Sequence, residues 1–225
     1  MKFNIRDVNV KWINLDRDEE KNKQMEEMVN RLGFRNASRF SAVSGIEPHE
    51  GVRHGEEHYR SCAESHFSIL ADAIKNDEFP LLILEDDVEV ENGIDTFLDH
   101  IDGEIEVPDD IDALYLGTSH GDNTFKAVDH DSGFLRITNV FATHAILYFN
   151  PKMAKDVIDH GETWIYEHCT PFDLCLARKI QHQYNVYSVR TPWFYQSDAK
   201  NSVNKWEAIT RTPLSITRKF SVFTL

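Results

Sequence analysis

The sequence is poor in cysteine and has no long apolar run. Its three cysteines, Cys62, Cys169 and Cys175, are odd in number and form no Cys-x-x-Cys pair, which argues against a zinc site and favours buried free thiols. No stretch has the apolar length that spans a bilayer, and the N-terminus lacks the apolar core of a signal peptide. These absences predict a cytoplasmic chain without a transmembrane segment.

Basic residues are also scarce. The chain has 24 lysines and arginines against 38 acids, and its formal net charge is minus 14. Long-range attraction to nucleic acid or to an anionic membrane is therefore weak. A local basic groove stays open, and Arg211, Arg218 and Lys219 make the C-terminal tail the first place to expect it.

Glycine and proline form no linker that would divide the chain. With 225 residues, of which 41% are hydrophobic, the chain is long enough to bury a substantial core. We expect one domain over residues 1–225, with an irregular tail at 204–225. No internal repeat is present.

Strand-like and helix-like segments alternate along the chain. Strand-like patterns occupy residues 8–15, 40–43, 81–84, 113–117, 134–138, 145–149 and 186–189. Helix-like patterns begin near Asp16, Tyr59, Pro151 and Pro171. Asp16 with Glu19 fits a capping box, Gly33 is placed to end the first helix, and residues 46–57 and 118–132 are polar loops. Such alternation predicts an α/β fold with a mostly parallel mixed sheet flanked by helices, in which ligands bind beyond the carboxyl ends of the strands.

The most informative segment is residues 81–89, where four aliphatic residues run directly into the carboxylates of Glu85, Asp86 and Asp87. The uninterrupted apolar run predicts a strand buried on both faces, with the acids at the sheet edge. Neighbouring carboxylates repel one another, and a divalent cation that prefers oxygen ligands relieves that repulsion. In extended backbone Glu85 and Asp87 share a face, whereas Asp86 points elsewhere. From this pattern alone a metal site and a solvated acidic turn stay equally open.

Seven short motifs follow one another in an order that is similar to a known family. They are INLDR at 13–17, RFSAVSG at 39–45, SH at 65–66, LILEDDV at 82–88, THAILY at 143–148, PFD at 171–173 and QSDAKNS at 196–202. In order and spacing they resemble glycosyltransferase family 25, which includes bacterial lipooligosaccharide galactosyltransferases and domains that galactosylate collagen hydroxylysine. The resemblance spans about residues 10–203.

The resemblance implies a single-domain GT-A fold, which is Rossmann-like, and a metal-dependent hexosyltransferase. The donor would be a nucleotide-diphosphate sugar, most simply a UDP-hexose, and the cofactor Mn²⁺ or Mg²⁺. The implied metal ligands are Glu85, Asp86 and Asp87. The implied donor-binding residues are Asn14, Leu15, Arg17, Ser44, Ser65, His66 and Asp86. His144 and Gln196 are further candidates near the site, although His144 departs from the residue that the family usually has there.

Family 25 enzymes are understood to invert the anomeric carbon, and direct displacement needs a general base for the acceptor hydroxyl. Asp173, in the PFD motif, is the candidate. Each of these residues also has a structural alternative. Asp173 could only stabilise the helix N-terminus, and Arg17 could be an exposed cation at the start of a helix. His66 and His144 could be core histidines whose hydrogen bonds are satisfied.

Two other functions use the same acids. A metal-dependent phosphoesterase or nuclease would need further ligand motifs, which the sequence does not supply, and a non-catalytic nucleotide-sugar-binding module would keep the fold without turnover. The expected partners are a nucleotide-sugar donor and a saccharide or other hydroxyl-bearing acceptor. The acidic charge disfavours a nucleic-acid acceptor, although a viral or phage enzyme that modifies a nucleobase in a host cytoplasm stays open, as does the oligomeric state.

Overall fold

The protein is described by a computed structural model over residues 1–44, 56–119, 126–130, 133–168, 171–197 and 213. The predicted loops at 46–57 and 118–132 fall partly outside these residues, as does nearly all of the predicted tail at 204–225. Cys169 lies outside them as well. None of the described helices combines the length and the apolarity that crossing a bilayer requires.

The chain alternates short strands with helices. The strands are β1 (Lys2–Asn4), β2 (Asn9–Asn14), β3 (Asn36–Ser41), β4 (Leu81–Glu85), β5 (Val88–Val90), β6 (Glu104–Glu106), β7 (Ala113–Tyr115), β8 (Lys126–Asp129), β9 (Leu135–Thr138), β10 (Ala145–Tyr148), β11 (Val186–Ser188) and β12 (Phe194–Gln196). The helices are α1 (Glu19–Leu32), α2 (Glu56–Asn76), α3 (Ile94–His100), α4 (Pro151–His168) and α5 (Phe172–Cys175), the last continued by a π-helical turn at Leu176–Ile180.

Within the described part of the chain, eight strands form a central sheet in the order β3-β2-β4-β10-β7-β11-β9-β8. β3, β2 and β4 run parallel to one another, and β7 is parallel to β11. β10 is antiparallel to β4 and β7, and β9 is antiparallel to β11 and β8. The predicted α/β architecture with a mixed sheet flanked by helices is confirmed. Its parallel share is smaller than expected, partly because only residues 130–134 separate β8 from β9, too few for the crossover that a parallel pair needs.

The sheet buries both of its faces, and β4 shows this most clearly. Leu81 and Ile83 belong to the core under α2, α4 and α5, whereas Leu82 and Leu84 belong to the core under α1 and α3. All four are fully buried, and each contributes about 2 kcal/mol of apolar burial. The prediction of a strand buried on both faces is confirmed, and this strand fixes the position of the three acids that follow it.

The helix after β2 begins later than its predicted cap. The residue before its first turn is Asp18, which makes no side-chain capping bond, so the predicted capping box of Asp16 and Glu19 is wrong. The Asp16 carboxylate instead accepts hydrogen bonds from Arg39 and Ser41, across the ends of β2 and β3. Gly33 ends the helix as predicted, because its positive φ of 77° closes the last turn at low steric cost.

Several short elements have no clear sequence signal. The acidic segment after β4 contains β5, α3 and β6, and β12 lies beyond Val186–Ser188, which the sequence indicated as the last strand. β5 and β12 pair with each other, so that Gln196 stands opposite Val88. Strands of three residues, such as β5 and β12, are too short to show a hydrophobic periodicity. They are stabilised by their long-range pairing, which the local sequence does not indicate.

Candidate active-site cleft

A cleft of about 470 Å³ opens at the carboxyl ends of β2, β3 and β4. Parallel pairing brings these strand ends to one edge of the sheet, where ligands bind in open α/β folds. The first turn of α1, the second and third turns of α2 and the end of β12 complete the walls. The polar residues that line it are Arg17, Asp18, Lys21, Ser44, Ser61, Cys62, Ser65, Glu85, Asp86, Asp87 and Gln196.

Glu85 ends β4 and faces α2 and β10. Its Oε1 atom lies 3.2 Å from Nε2 of His66 and accepts a hydrogen bond from the Thr143 hydroxyl. Burial alone would raise the pKa of Glu85, but the hydrogen bond and charge of His66 and the hydrogen bond from Thr143 outweigh it and lower the pKa. Glu85 is therefore held as a carboxylate in a largely buried position.

Asp86 turns toward β2 and α1, as its position between two same-face neighbours predicted. Its Oδ2 atom accepts a hydrogen bond of 2.8 Å from Asn14 Nδ2, and its Oδ1 atom lies 2.8 Å from the Lys21 ammonium. Burial lowers the pKa of Lys21, but the hydrogen bond and charge of Asp86 outweigh it and raise that pKa. Both oxygens of Asp86 thus have protein partners.

Asp87 is the least satisfied of the three acids. Its Oδ2 atom accepts a long hydrogen bond of 3.3 Å from Gln196 Nε2, and its buried Oδ1 atom has no hydrogen-bond partner among the described residues. Burial and the charge of Glu85 raise the pKa of Asp87 to about 7. A buried carboxylate oxygen that faces no donor is costly, and a bound cation would remove that cost.

This environment gives a stability prediction for the metal-free protein. Asp87→Asn is expected to raise the free energy of unfolding by about 4 kcal/mol at about pH 8, measured by urea unfolding with a chelator present. The folded-state pKa of about 7 exceeds the ordinary value of 3.8, so ionisation of Asp87 weakens the folded state. The penalty is absent below about pH 4, grows between about pH 4 and 7, and is complete above.

The control for this measurement is Asp72→Asn, which removes a charge from the exposed face of α2. It should change stability little at either pH. An Asp87→Asn variant that gains no more stability at about pH 8 than at about pH 4 would show that the carboxylate is not destabilised by its surroundings.

The predicted donor-binding residues fall into two groups. Leu15, Arg17 and Ser44 line the cleft, with Arg17 exposed at its rim. Asn14 is only 1% exposed and connects two neighbouring side chains. Its Oδ1 atom accepts a hydrogen bond from Arg39 Nε, and its amide nitrogen donates one to Asp86.

Ser65, His66 and His144 are buried polar residues around the same site. The Ser65 hydroxyl donates to the backbone carbonyl of Ser61 and accepts from the backbone N–H of Val43, so it ties the end of β3 to α2. His66 contacts Glu85, whereas Nε2 of His144 lies 3.4 Å from the carbonyl oxygen of Phe194. Burial lowers the pKa of His144, which favours the neutral imidazole.

Asp173 lies close to this site but does not belong to the lining of the cleft. Its Oδ2 atom accepts a hydrogen bond of 3.3 Å from the backbone N–H of Ala142, while its buried Oδ1 atom has no partner in the part of the chain that the structure describes. Burial raises the pKa of Asp173, and the charge of Glu85 adds to the increase. The side chain therefore has one free acceptor oxygen and a pKa shifted in the direction that suits a base near neutral pH.

Three residues of the site had no role in the sequence-based hypothesis. Lys21 lines the cleft and pairs with Asp86, Thr143 donates to Glu85, and Cys62 Sγ lies 4.0 Å from Glu85 Oε1. For Thr143 the THAILY motif was a signal. For Lys21 and Cys62 the only signal was their position in the first two turns of a helix that follows a strand or a loop.

Comparison with protein families shows that the chain matches a family of glycosyltransferases. The model for glycosyltransferase family 25, described as an LPS biosynthesis protein family, matches residues 9–176. This match covers most of the sheet and the whole acidic segment of the cleft, and the chain belongs to glycosyltransferase family 25. It is a glycosyltransferase, and the predicted resemblance is confirmed.

Among solved structures, the chain is similar to that of a glycosyltransferase involved in the glycosylation of the major capsid of PBCV-1. The two are 17% identical, the TM-score is 0.39, and the match covers 82% of this chain and 83% of the other. No curated protein sequence matches the chain. The family assignment rests on the family model.

Proposed function

We propose that the chain transfers a sugar from a nucleotide-diphosphate donor, most simply a UDP-hexose, to a hydroxyl group with inversion of the anomeric carbon. The acceptor would be a glycan, a lipooligosaccharide or another modified macromolecule. The observation that carries this proposal is that three groups meet in one cleft: a carboxylate oxygen of Asp87 that has no partner among the described residues, and the cations Arg17 and Lys21. A diphosphate is bound by both kinds of group, through a metal ion and through charge-assisted hydrogen bonds. We also propose that residues 1–225 act as one catalytic domain.

The donor set fits Mn²⁺ or Mg²⁺, which prefer oxygen ligands. Asp87 would bind through its free Oδ1 atom, and Glu85 through Oε2, since its hydrogen bonds are made through Oε1. Asp86 is assigned a supporting role, because Asn14 and Lys21 occupy its two oxygens. When bound, the cation would offset the negative charge that develops on the departing nucleotide diphosphate.

Lys21 is proposed to contact the diphosphate directly. Its ammonium group stands at the cleft wall, held by Asp86, and its charge also acts on Asp87. Lys21→Met is therefore expected to lower kcat/KM for the donor by about tenfold. Lys23→Met, which removes an exposed lysine that pairs only loosely with Glu27, serves as the control. Equal kcat/KM values for the two variants would show that Lys21 does not contact the donor.

Asp173 is proposed as the general base that takes the proton from the acceptor hydroxyl. Its free Oδ1 atom can accept that proton, while the Ala142 N–H holds Oδ2 in place. Asp173 does not line the cleft and its Oδ1 atom is buried, so in this proposal the acceptor hydroxyl reaches Asp173 past the residues that line the cleft. This separation keeps the base apart from the carboxylates that hold the donor.

The test is donor turnover with a panel of nucleotide sugars in the presence of Mn²⁺. At least one UDP-sugar is expected to bind and to release UDP slowly even without acceptor. Failure to bind any nucleotide sugar would contradict the donor assignment. Hydrolysis of simple phosphodiesters that is lost in Asp87→Asn would indicate a phosphoesterase, and donor binding without turnover across broad acceptors would indicate a binding module. Mass spectrometry of the product from a cell extract with mixed nucleotide sugars would identify donor and acceptor.

A further inference from the structure

A second set of metal-ligating atoms lies on the α2 side of the cleft. The thiol sulfur of Cys62, a ring nitrogen of His66 and a carboxylate oxygen of Glu85 lie within 4.8 Å of one another. Asp86 and Asp87 do not belong to this set. The cluster therefore differs from the all-oxygen set proposed for the donor metal, and the two share only Glu85.

The local structure explains why these three side chains meet. Cys62 and His66 are four residues apart on α2, so they project from the same face of the helix. β4 ends directly opposite that face and presents Glu85 to both. The sequence argued against a zinc site because its cysteines form no Cys-x-x-Cys pair. A site with a single cysteine has no such motif, since the fold must bring its histidine and carboxylate together.

The distances suit a tetrahedral ion. Oε1 of Glu85 lies 3.2 Å from Nε2 of His66 and 4.0 Å from Sγ of Cys62. Zinc bonds of about 2.3 Å to sulfur and about 2.0–2.2 Å to nitrogen and oxygen place tetrahedral ligand atoms roughly 3.3–3.6 Å apart. Small side-chain movements of Cys62 and Glu85 would therefore complete three sides of a zinc site.

We propose that Cys62, His66 and Glu85 bind Zn²⁺, with the fourth position open to the cleft, and that this binding inhibits sugar transfer by withdrawing Glu85 from the donor site. Cys62 and Glu85 both line the cleft, so the ion can enter from it. The inhibition rests on the proposed function, whereas the binding does not.

Ligand type separates this site from the donor site. Thiolate and imidazole favour Zn²⁺, whereas Mn²⁺ and Mg²⁺ favour the carboxylates of Asp87 and Glu85. On binding, the Cys62 thiol and the Nε2–H of His66 give their protons to solvent, while the His66 ring keeps a proton on Nδ1. The sulfur–metal bond forms, and two metal bonds replace the His66 contact with Glu85. Nδ1 of His66 is buried and has no acceptor within the described ranges. The site therefore lacks the outer hydrogen bond that tightens many zinc sites, and its affinity should be moderate.

The test uses Co²⁺ as a coloured substitute for Zn²⁺ on the full chain after treatment with a chelator. Wild-type protein is expected to show a thiolate-to-cobalt charge-transfer band and visible bands of a tetrahedral site, both displaced by Zn²⁺. Cys62→Ser should lose the charge-transfer band and bind Zn²⁺ on the order of 100-fold more weakly. Cys175→Ala, which removes a buried thiol from the core beneath α5, should retain both.

Glu85→Gln keeps the size of the side chain and should weaken Zn²⁺ binding in the same assay. No charge-transfer band in the wild type, or an equal band in Cys62→Ser, would overturn the proposal. In a second arm, Zn²⁺ should inhibit UDP release in the presence of excess Mn²⁺, and less strongly in Cys62→Ser. A wild type that binds Zn²⁺ without loss of turnover would overturn the inhibitory role. If no nucleotide sugar is turned over, the cobalt spectra alone test whether Cys62, His66 and Glu85 bind the metal.

Discussion

Asp87→Asn is expected to lower kcat/KM for sugar transfer by about 1,000-fold while the fold remains intact. Asparagine has the size of aspartate and can still contact Gln196, but it supplies no charge at the buried Oδ1 position. The cation proposed for this site would then lose a charged ligand, and the departing diphosphate would lose most of its charge compensation. Steady-state kinetics with the best donor of the panel, at saturating Mn²⁺, measure this effect.

Asp72→Asn is the matched control, because it removes the same charge from an exposed position of α2 away from the cleft. Its kcat/KM should stay within about twofold of the wild-type value. If Asp87→Asn keeps kcat/KM within about tenfold of wild type, Asp87 does not hold the donor metal. The higher stability expected for the metal-free variant ensures that lost activity is not mistaken for unfolding.

Asp173→Asn should lower kcat by about 100- to 10,000-fold and leave the dissociation constant of the donor unchanged. The asparagine oxygen can keep the hydrogen bond from the Ala142 N–H, so the local backbone is preserved, but the amide cannot take a proton. Single-turnover rates with acceptor, together with calorimetric titration of the donor, separate the two effects.

The pH dependence gives a second readout for Asp173. A base must be ionised, so kcat should fall as the pH drops through the pKa of Asp173, which burial raises above the ordinary value of an aspartate. This acidic limb should remain in Asp159→Asn, a control on the exposed side of α4. A near-normal rate in Asp173→Asn would leave the side chain with the structural role of receiving the Ala142 N–H.

The sequence was sufficient to locate the cleft but not to orient its side chains. Strand β4 could be predicted because a strand buried on both faces is an uninterrupted aliphatic run. The position of the three acids at the sheet edge could be predicted because they come directly after this run. The orientation of Asp86 depends on Asn14 and Lys21, which are 72 and 65 residues away. No local pattern carries such contacts.

The opposite wall of the cleft was harder to predict for a related reason. Gln196 reaches Asp87 because β12 pairs with β5, and both strands have only three residues. The motif resemblance indicated Gln196, whereas periodicity and charge did not. The Cys62 cluster is similar, since a helix face and a strand end must meet before its three ligands can be recognised together.

The most direct test of the proposal that the cleft binds a nucleotide-sugar donor is calorimetric titration of UDP into the chelator-treated protein, with and without Mn²⁺. We expect UDP to bind in the presence of Mn²⁺, to bind at least about tenfold more weakly without it, and to lose this Mn²⁺ dependence in Asp87→Asn. An affinity for UDP that is the same with and without Mn²⁺, or that Asp87→Asn leaves unchanged, would contradict a metal-assisted nucleotide-diphosphate site at the end of β4.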